Sequence, residues 1–176
     1  MSKPLPASYP EYFDRYIKLV PGEVLLESMK AQQGIIDKFF EKITEEKSLY
    51  HYAEGKWTIK ELLQHIIDAE RIFVYRALCI ARKEKKSLTA FDENEYAANS
   101  HANHRTWNSL CTELKSVRNT TICLFESFTD DMIDSSGLSN ELPVTVKALG
   151  FITLGHLYHH KQIIEERYLG EIKEQH

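Results

Sequence analysis

Trp57-Thr58-Ile59-Lys60-Glu61-Leu62 is written like the first turn of a helix. Thr58 and Glu61 stand three apart, the spacing at which a threonine hydroxyl and a glutamate carboxylate each accept a backbone N–H of the other's residue. Trp57 and Leu62 flank the pair where a hydrophobic staple would close. An apolar arc through Leu62, Ala69 and Phe73 then carries the helix to about Arg82. Outward from this segment, three more long helices are predicted. One precedes it, from about Gly22 to Lys47, with Leu25, Met29, Ile36, Phe40 and Ile43 at three-and-four spacing. One follows from about Arg105 to Phe128, striped by Leu110, Leu114, Val117, Thr121 and Leu124. The last runs from about Val146 to Leu169, capped by Thr145 and stopped by Gly170 in the C′ role.

Four such helices predict an all-α fold, a four-helix bundle. The connections are unequal. Residues 83–104, between helices 2 and 3, form a link too long to hang free, so it is expected to pack on the bundle. Before helix 1 lies an arm carrying Tyr9, Tyr12, Phe13 and Tyr16, an aromatic density that predicts docking. With 176 residues, 43% of them hydrophobic, there is material for one core. A single domain over 1–176 is expected, with an arm at about 1–21 and a bundle at about 22–170.

Charge narrows the function classes. Lys and Arg total 22 against 26 Asp and Glu, a net charge of −4, so no concentrated basic surface for nucleic acid is expected. No run of 18 uncharged apolar residues exists, which predicts no membrane span. The first ten residues lack an apolar core behind Lys3, so no secretory signal is read and the expected compartment is cytoplasmic. Cys79, Cys111 and Cys123 form no CxxC pair and are expected as buried free thiols.

The chemistry is sought among eight histidines. Residues four apart on a helix differ by roughly 40° in direction, so His156 and His160 present their rings from one face. That face also carries Leu149, Ile152 and Ile163, so the pair points into the bundle. Two readings are open: two metal ligands one turn apart, or buried neutral imidazoles bonded to backbone or tyrosine. His159 sits at the edge of the stripe. A third ligand is available in His65, at the border of the apolar arc of helix 2. His51, His101 and His104 fall at loop or cap positions, and His176 at the chain end. The Glu-x-x-His pairs of di-iron bundles, the zincin His-Glu-x-x-His and the Gly-x-Ser-x-Gly elbow are all missing. A three-histidine site remains.

The stretch Tyr52 to His65, the stretch Asp68 to Leu78, and Gly155-His156-Leu157-Tyr158-His159-His160 together resemble the DinB-like superfamily. The similarity takes in Tyr12 to Gly22 and Phe91-Asp92-Glu93, and so nearly the whole chain. The resemblance implies a four-helix bundle holding a divalent metal on His65, His156 and His160. It further implies a homodimer, and metal-dependent transfer of a low-molecular-weight thiol or, in relatives, hydrolysis or isomerisation.

Three neutral imidazoles leave a coordination position open, the arrangement of a catalytic rather than a structural site. Imidazole suits Zn, Ni and Fe alike, so the ion is not identified. The expected function is activation of a low-molecular-weight thiol or water toward a small-molecule substrate, with one ion per chain. Glu61 and Asp68 could each orient the His65 ring, or serve only the helix cap and Arg71 respectively. Arg76 shares the His65 face three turns on, either anchoring an anionic group or bonding interior carboxylates. Tyr158 is expected to pack away from the site. The alternative function is a non-catalytic metal- or ligand-binding bundle acting as a dimeric interaction module.

Overall fold

The computed structural model describes residues 2–170; His176 lies outside them. The four long helices are α2 (Leu25–Phe40), α4 (Ile59–Ala81), α6 (Trp107–Glu126) and α8 (Val146–Ile163). Shorter helices join them: α1 (Asp14–Ile17), α3 (Glu45–Ser48), α5 (Glu93–Asn99) and α7 (Asp130–Asp134). The all-α four-helix bundle expected from the periodicity is present.

The caps are where the sequence placed them. Thr58 accepts from the Glu61 backbone N–H while the Glu61 carboxylate accepts from the Thr58 N–H at 2.8 Å, the complete capping box. Thr145 accepts from the Ala148 N–H at 3.2 Å at the start of α8. Gly170 takes a φ of +69°, the left-handed conformation a helix stop requires. Between Ile163 and Gly170 the backbone widens into a π turn, Ile164–Tyr168, closed by Leu169 N–H on the Ile164 carbonyl.

The first long helix is shorter than its apolar spacing suggests. It begins at Leu25 and ends at Phe40, and Thr44 starts the separate turn α3 by accepting from the Lys47 N–H. Glu45 explains the break. Its carboxylate pairs with the fully buried ammonium of Lys60 and accepts the Trp107 N–H at 2.6 Å. Two long-range partners for one side chain outweigh continuing the helix past Phe40.

The connection 83–104 packs down as expected. It carries α5 and a 3-10 turn, Ala102–His104. An unexpected β-hairpin holds it in place. Strands β1 (Ser136–Ser139) and β2 (Leu142–Thr145) pair antiparallel, and Leu88 exchanges backbone hydrogen bonds with Leu138 and Asn140. The hairpin turns on Asn140 and Glu141, both at positive φ, without the glycine that usually announces such a turn.

The buried apolar residues fall into two clusters. One gathers the arm, the start of α2, the second half of α4, the end of α6 and the first half of α8. The other gathers the remaining halves and the α8 end. At the level between them each long helix contributes polar side chains: Gln32, Glu70, Arg118, Thr121 and the histidines of α4 and α8. Arg118 meets Glu70 with two bonds, at 2.9 and 2.8 Å, and also reaches Gln32 Oε1; Thr121 donates to Glu70 at 2.8 Å. Gln32 Nε2 donates to the Leu154 carbonyl at 2.8 Å. A buried ion pair with its remaining sites filled avoids the penalty of an unpaired charge.

Helix α8 is buried from Ala148 through Leu157, on every face. Its apolar residues surround it because α1, α2 and α4 all pack on it, α4 most extensively. This central position takes its histidines into the interior. The cysteines are free but not buried: Cys79 and Cys111 are half-buried and Cys123 is exposed. Adjacent helix positions differ by about 100° in direction, so burial of neighbours such as Ile80 and Leu110 does not carry the thiols into the core, although Cys111 still packs against the second cluster.

Candidate metal centre

His65 and His156, 91 residues apart along the chain, meet at one point together with His160. His65 Nε2 lies 3.1 Å from His156 Nε2, and His160 Nε2 lies 3.0 Å from the same atom. All three ligand-capable nitrogens lie within 4.8 Å of one another, and all three residues are buried. The capping box sets the phase of α4 so that His65 turns inward, and the four-residue spacing on α8 supplies the other two rings.

Aromatic side chains enclose the cluster. The Trp57 ring lies 5.0 Å from the His65 ring, and the Tyr16 and Phe73 rings approach the His156 ring edge-on at 5.5 and 5.6 Å. Tyr16 comes from α1, whose backbone touches α8 at Gly155. A Cβ on Gly155 would run into the Tyr16 carbonyl, so only glycine lets the arm settle so close to the histidines. Tyr158, half-buried, packs against the apolar cluster rather than the site, as expected.

Electrostatics keeps these rings neutral. Burial lowers the His65 pKa to about 4. His156 and His160 are pushed well below the ordinary imidazole value, first by burial and then by the neighbouring histidines and Arg15. A neutral imidazole offers one lone pair, and here the lone-pair positions converge. The backbone and tyrosine partners of the structural reading are not there: the three Nε2 atoms have only one another as hydrogen-bonding neighbours among the described residues. Two nitrogens bound to one ion at about 2.0–2.1 Å stand roughly 2.8–3.4 Å apart, for angles from square to tetrahedral. Two of the three separations, 3.0 and 3.1 Å, fall in that window, and all three nitrogens lie within 4.8 Å of one another, so these imidazole donors suit a divalent transition ion. Its outer partners are sparse. His160 Nδ1 is buried with no hydrogen-bond partner among the described residues.

Neither acidic candidate reaches His65. Glu61 is taken by the Thr58 N–H. Asp68 accepts from Gln64 at 3.0 Å and lies 3.6 Å from Arg71, and burial raises its pKa. His159 stays beside the cluster, 5.1 Å from the His160 ring and 5.2 Å from Tyr16. His51, His101 and His104 are exposed and apart from it.

His65 and His156 form the floor of a cavity of about 310 Å³. The arm (Pro10, Tyr12, Phe13, Tyr16), α4 (Ala69, Phe73, Arg76), the 83–104 connection (Ala90, Phe91, Glu93) and the hairpin (Ser139, Asn140, Leu142) supply its walls. Sequence reasoning found the floor but missed most of the walls. The hairpin carries no turn signature, and Trp57 and Tyr16 were read for cap and arm packing only.

Comparison with known proteins agrees with this architecture. No curated protein matches the chain. YfiT from Bacillus subtilis, described as a probable metal-dependent hydrolase with an unusual four-helix bundle topology, superposes with a TM-score of 0.66. It shares 17% identity, over 94% of this chain and 99% of YfiT. The DinB-like protein YjoA from the same organism superposes with a TM-score of 0.57 at 21% identity, over 85% of this chain and 93% of its own. A family model described as the DinB superfamily matches residues 29–164, which include all three clustered histidines. This chain belongs to the DinB superfamily.

Proposed function

We propose that this protein is a metal-dependent enzyme that uses His65, His156 and His160 to hold one divalent transition ion, Zn, Ni or Fe, for chemistry on a small molecule. The observation that carries this reading is the convergence of three neutral, buried imidazoles, two of which, His65 and His156, line a cavity open to ligands. Such an ion would supply Lewis acidity, lowering the pKa of a water molecule or a low-molecular-weight thiol toward about 7. The description of YfiT as a probable metal-dependent hydrolase supports the water branch; thiol transfer rests on the family resemblance.

The chain's own residues do the rest. Phe13, Phe73 and Phe91 present apolar walls that exclude bulk water and favour an apolar substrate body. Burial holds the imidazoles neutral, so protons do not compete for their lone pairs near neutral pH. Neither Glu61 nor Asp68 is placed to act as a base at the histidines, so the proton that a water or thiol would give up on ionising would pass to solvent in the cavity.

The test is turnover of activated esters, and of thiols paired with electrophiles, by the purified chain. Activity abolished by chelation and restored by one equivalent of Zn, Ni or Fe is expected. Activity indifferent to chelation overturns the proposal, and a chain that binds metal but turns nothing over favours the non-catalytic bundle.

A further inference from the structure

Among the described residues, the buried Lys and Arg side chains are paired with carboxylates, with one exception. Arg118 is held bidentately by Glu70, and Lys60 by Glu45. Arg76 is 7% exposed and has no carboxylate partner among the described residues. Its one protein bond is from Nη2 to the Thr89 carbonyl, at 2.7 Å. A guanidinium has five N–H donors, so most of them are unused. They are not sealed in, since the described nitrogens buried without a partner do not include any from Arg76. They face the cavity that His65 and His156 also line.

A charge withdrawn from water without a partner is costly, and proteins retain it where a ligand completes it. We infer that Arg76 is the anchor for the carboxylate of a small substrate whose other end lies against His65 and His156. The inference rests on the proposed function for what happens at that other end, but not for the anchoring itself.

Three observations set the ligand's chemistry. Arg76 is the sole Lys or Arg among the described residues lining the cavity, and burial keeps His65 and His156 neutral there, which suits one negative charge rather than a phosphate dianion. Glu93, exposed at the rim, makes no ion pair with Arg76 and disfavours a second anionic group. The bond to Thr89 occupies one N–H of Nη2, and the planar fork of donors that remains is the kind that matches a carboxylate. Geometry sets the length. Eleven residues of helix put His65 and Arg76 on one face, about 16 Å apart at the backbone, and both side chains lean toward the helix start. The carboxylate therefore sits several bonds from the atom presented to the histidines. A cavity of about 310 Å³ holds on the order of ten water-sized groups, so the substrate is a small acid with an apolar body against Phe13, Phe73 and Phe91.

The test compares hexanoate with hexanamide, equal in size and unequal in charge, by calorimetry and NMR shift mapping on the full-length chain. It is run both as purified and after chelation. Hexanoate is expected to bind at least about tenfold tighter than hexanamide in both states, with shifts at Phe73 and Phe91. Arg76→Gln is expected to reduce the preference below about twofold, and Arg76→Lys, which keeps the charge and guards against misfolding, to restore part of it. Equal binding of the two probes, or a preference that Arg76→Gln retains after chelation, overturns the inference. A preference seen only with metal present places the carboxylate on the ion and overturns it too. Failure of the metal proposal reads out separately, as a purified chain without stoichiometric ion whose hexanoate preference is intact.

Discussion

His156 Nε2 stands between two partners, 3.1 Å from His65 Nε2 on another helix and 3.0 Å from His160 Nε2 one turn along its own. It is the atom through which α4 and α8 are joined at the site. Elemental analysis should therefore find about one ion per chain. His156→Ala should weaken metal affinity by more than about a hundredfold, since even the outer partners of ligands are worth ten- to a hundredfold. Exposed His51→Ala should leave metal content unchanged. An unaltered ion count in His156→Ala would remove the ligand assignment.

Trp57 offers an optical readout. Its ring is 5.0 Å from His65, whereas Trp107 packs on Phe40 and donates to the Phe40 carbonyl at 3.2 Å. Titration with Ni²⁺ or Co²⁺ is expected to quench tryptophan emission. Trp57→Phe should abolish the quench and Trp107→Phe should preserve it.

Acid should destabilise the metal-free protein. The His65 pKa is about 4 in the fold against about 6.5 in an unfolded chain. As pH falls below about 6.5 the unfolded chain takes up protons that the folded one refuses, so the balance moves toward unfolding. His65 alone accounts for a loss of about 2 kcal/mol between pH 7 and pH 5. His156 and His160, depressed in the same direction, add to it. Urea melts of the chelated chain at the two pH values measure this, and His65→Phe should flatten the dependence.

Gly155 is the contact that seats the arm. Gly155→Ala pushes a methyl into the Tyr16 carbonyl, and the overpacking should cost about 1–3 kcal/mol. Hydrogen exchange should rise across Asp14–Ile17 in this variant while the amides of α4 stay protected. Unchanged exchange in the arm would contradict the close approach.

The ion pair at the middle of the bundle predicts an asymmetry. Glu70→Ala leaves Arg118 buried and unpaired and should cost about 3–5 kcal/mol. Replacing both, as Glu70→Leu with Arg118→Met, should lose much less. Thermal or denaturant melts of the two variants decide it.

What was legible depended on range along the chain. The capping box at Thr58 and Glu61, the cap at Thr145 and the stop at Gly170 involve neighbours within a turn, and each is found as read. The same reasoning overran at the end of α2, where apolar spacing continues to Ile43 but Glu45 turns toward Lys60 and Trp107. It also missed the hairpin, whose turn uses Asn140 and Glu141 in place of a glycine signature.

The sequence by itself determined the four helices, the family, and the pairing of His156 with His160. Helical periodicity is a local property, and a spacing of four residues fixes a shared face wherever the helix ends up. Only the tertiary structure decided that His65 joins that pair and that Arg76 opens on the same cavity without a carboxylate. Each of these depends on which groups from distant parts of the chain are brought side by side. That is settled by how α1, α4 and α8 pack against one another, and no spacing along the chain encodes it.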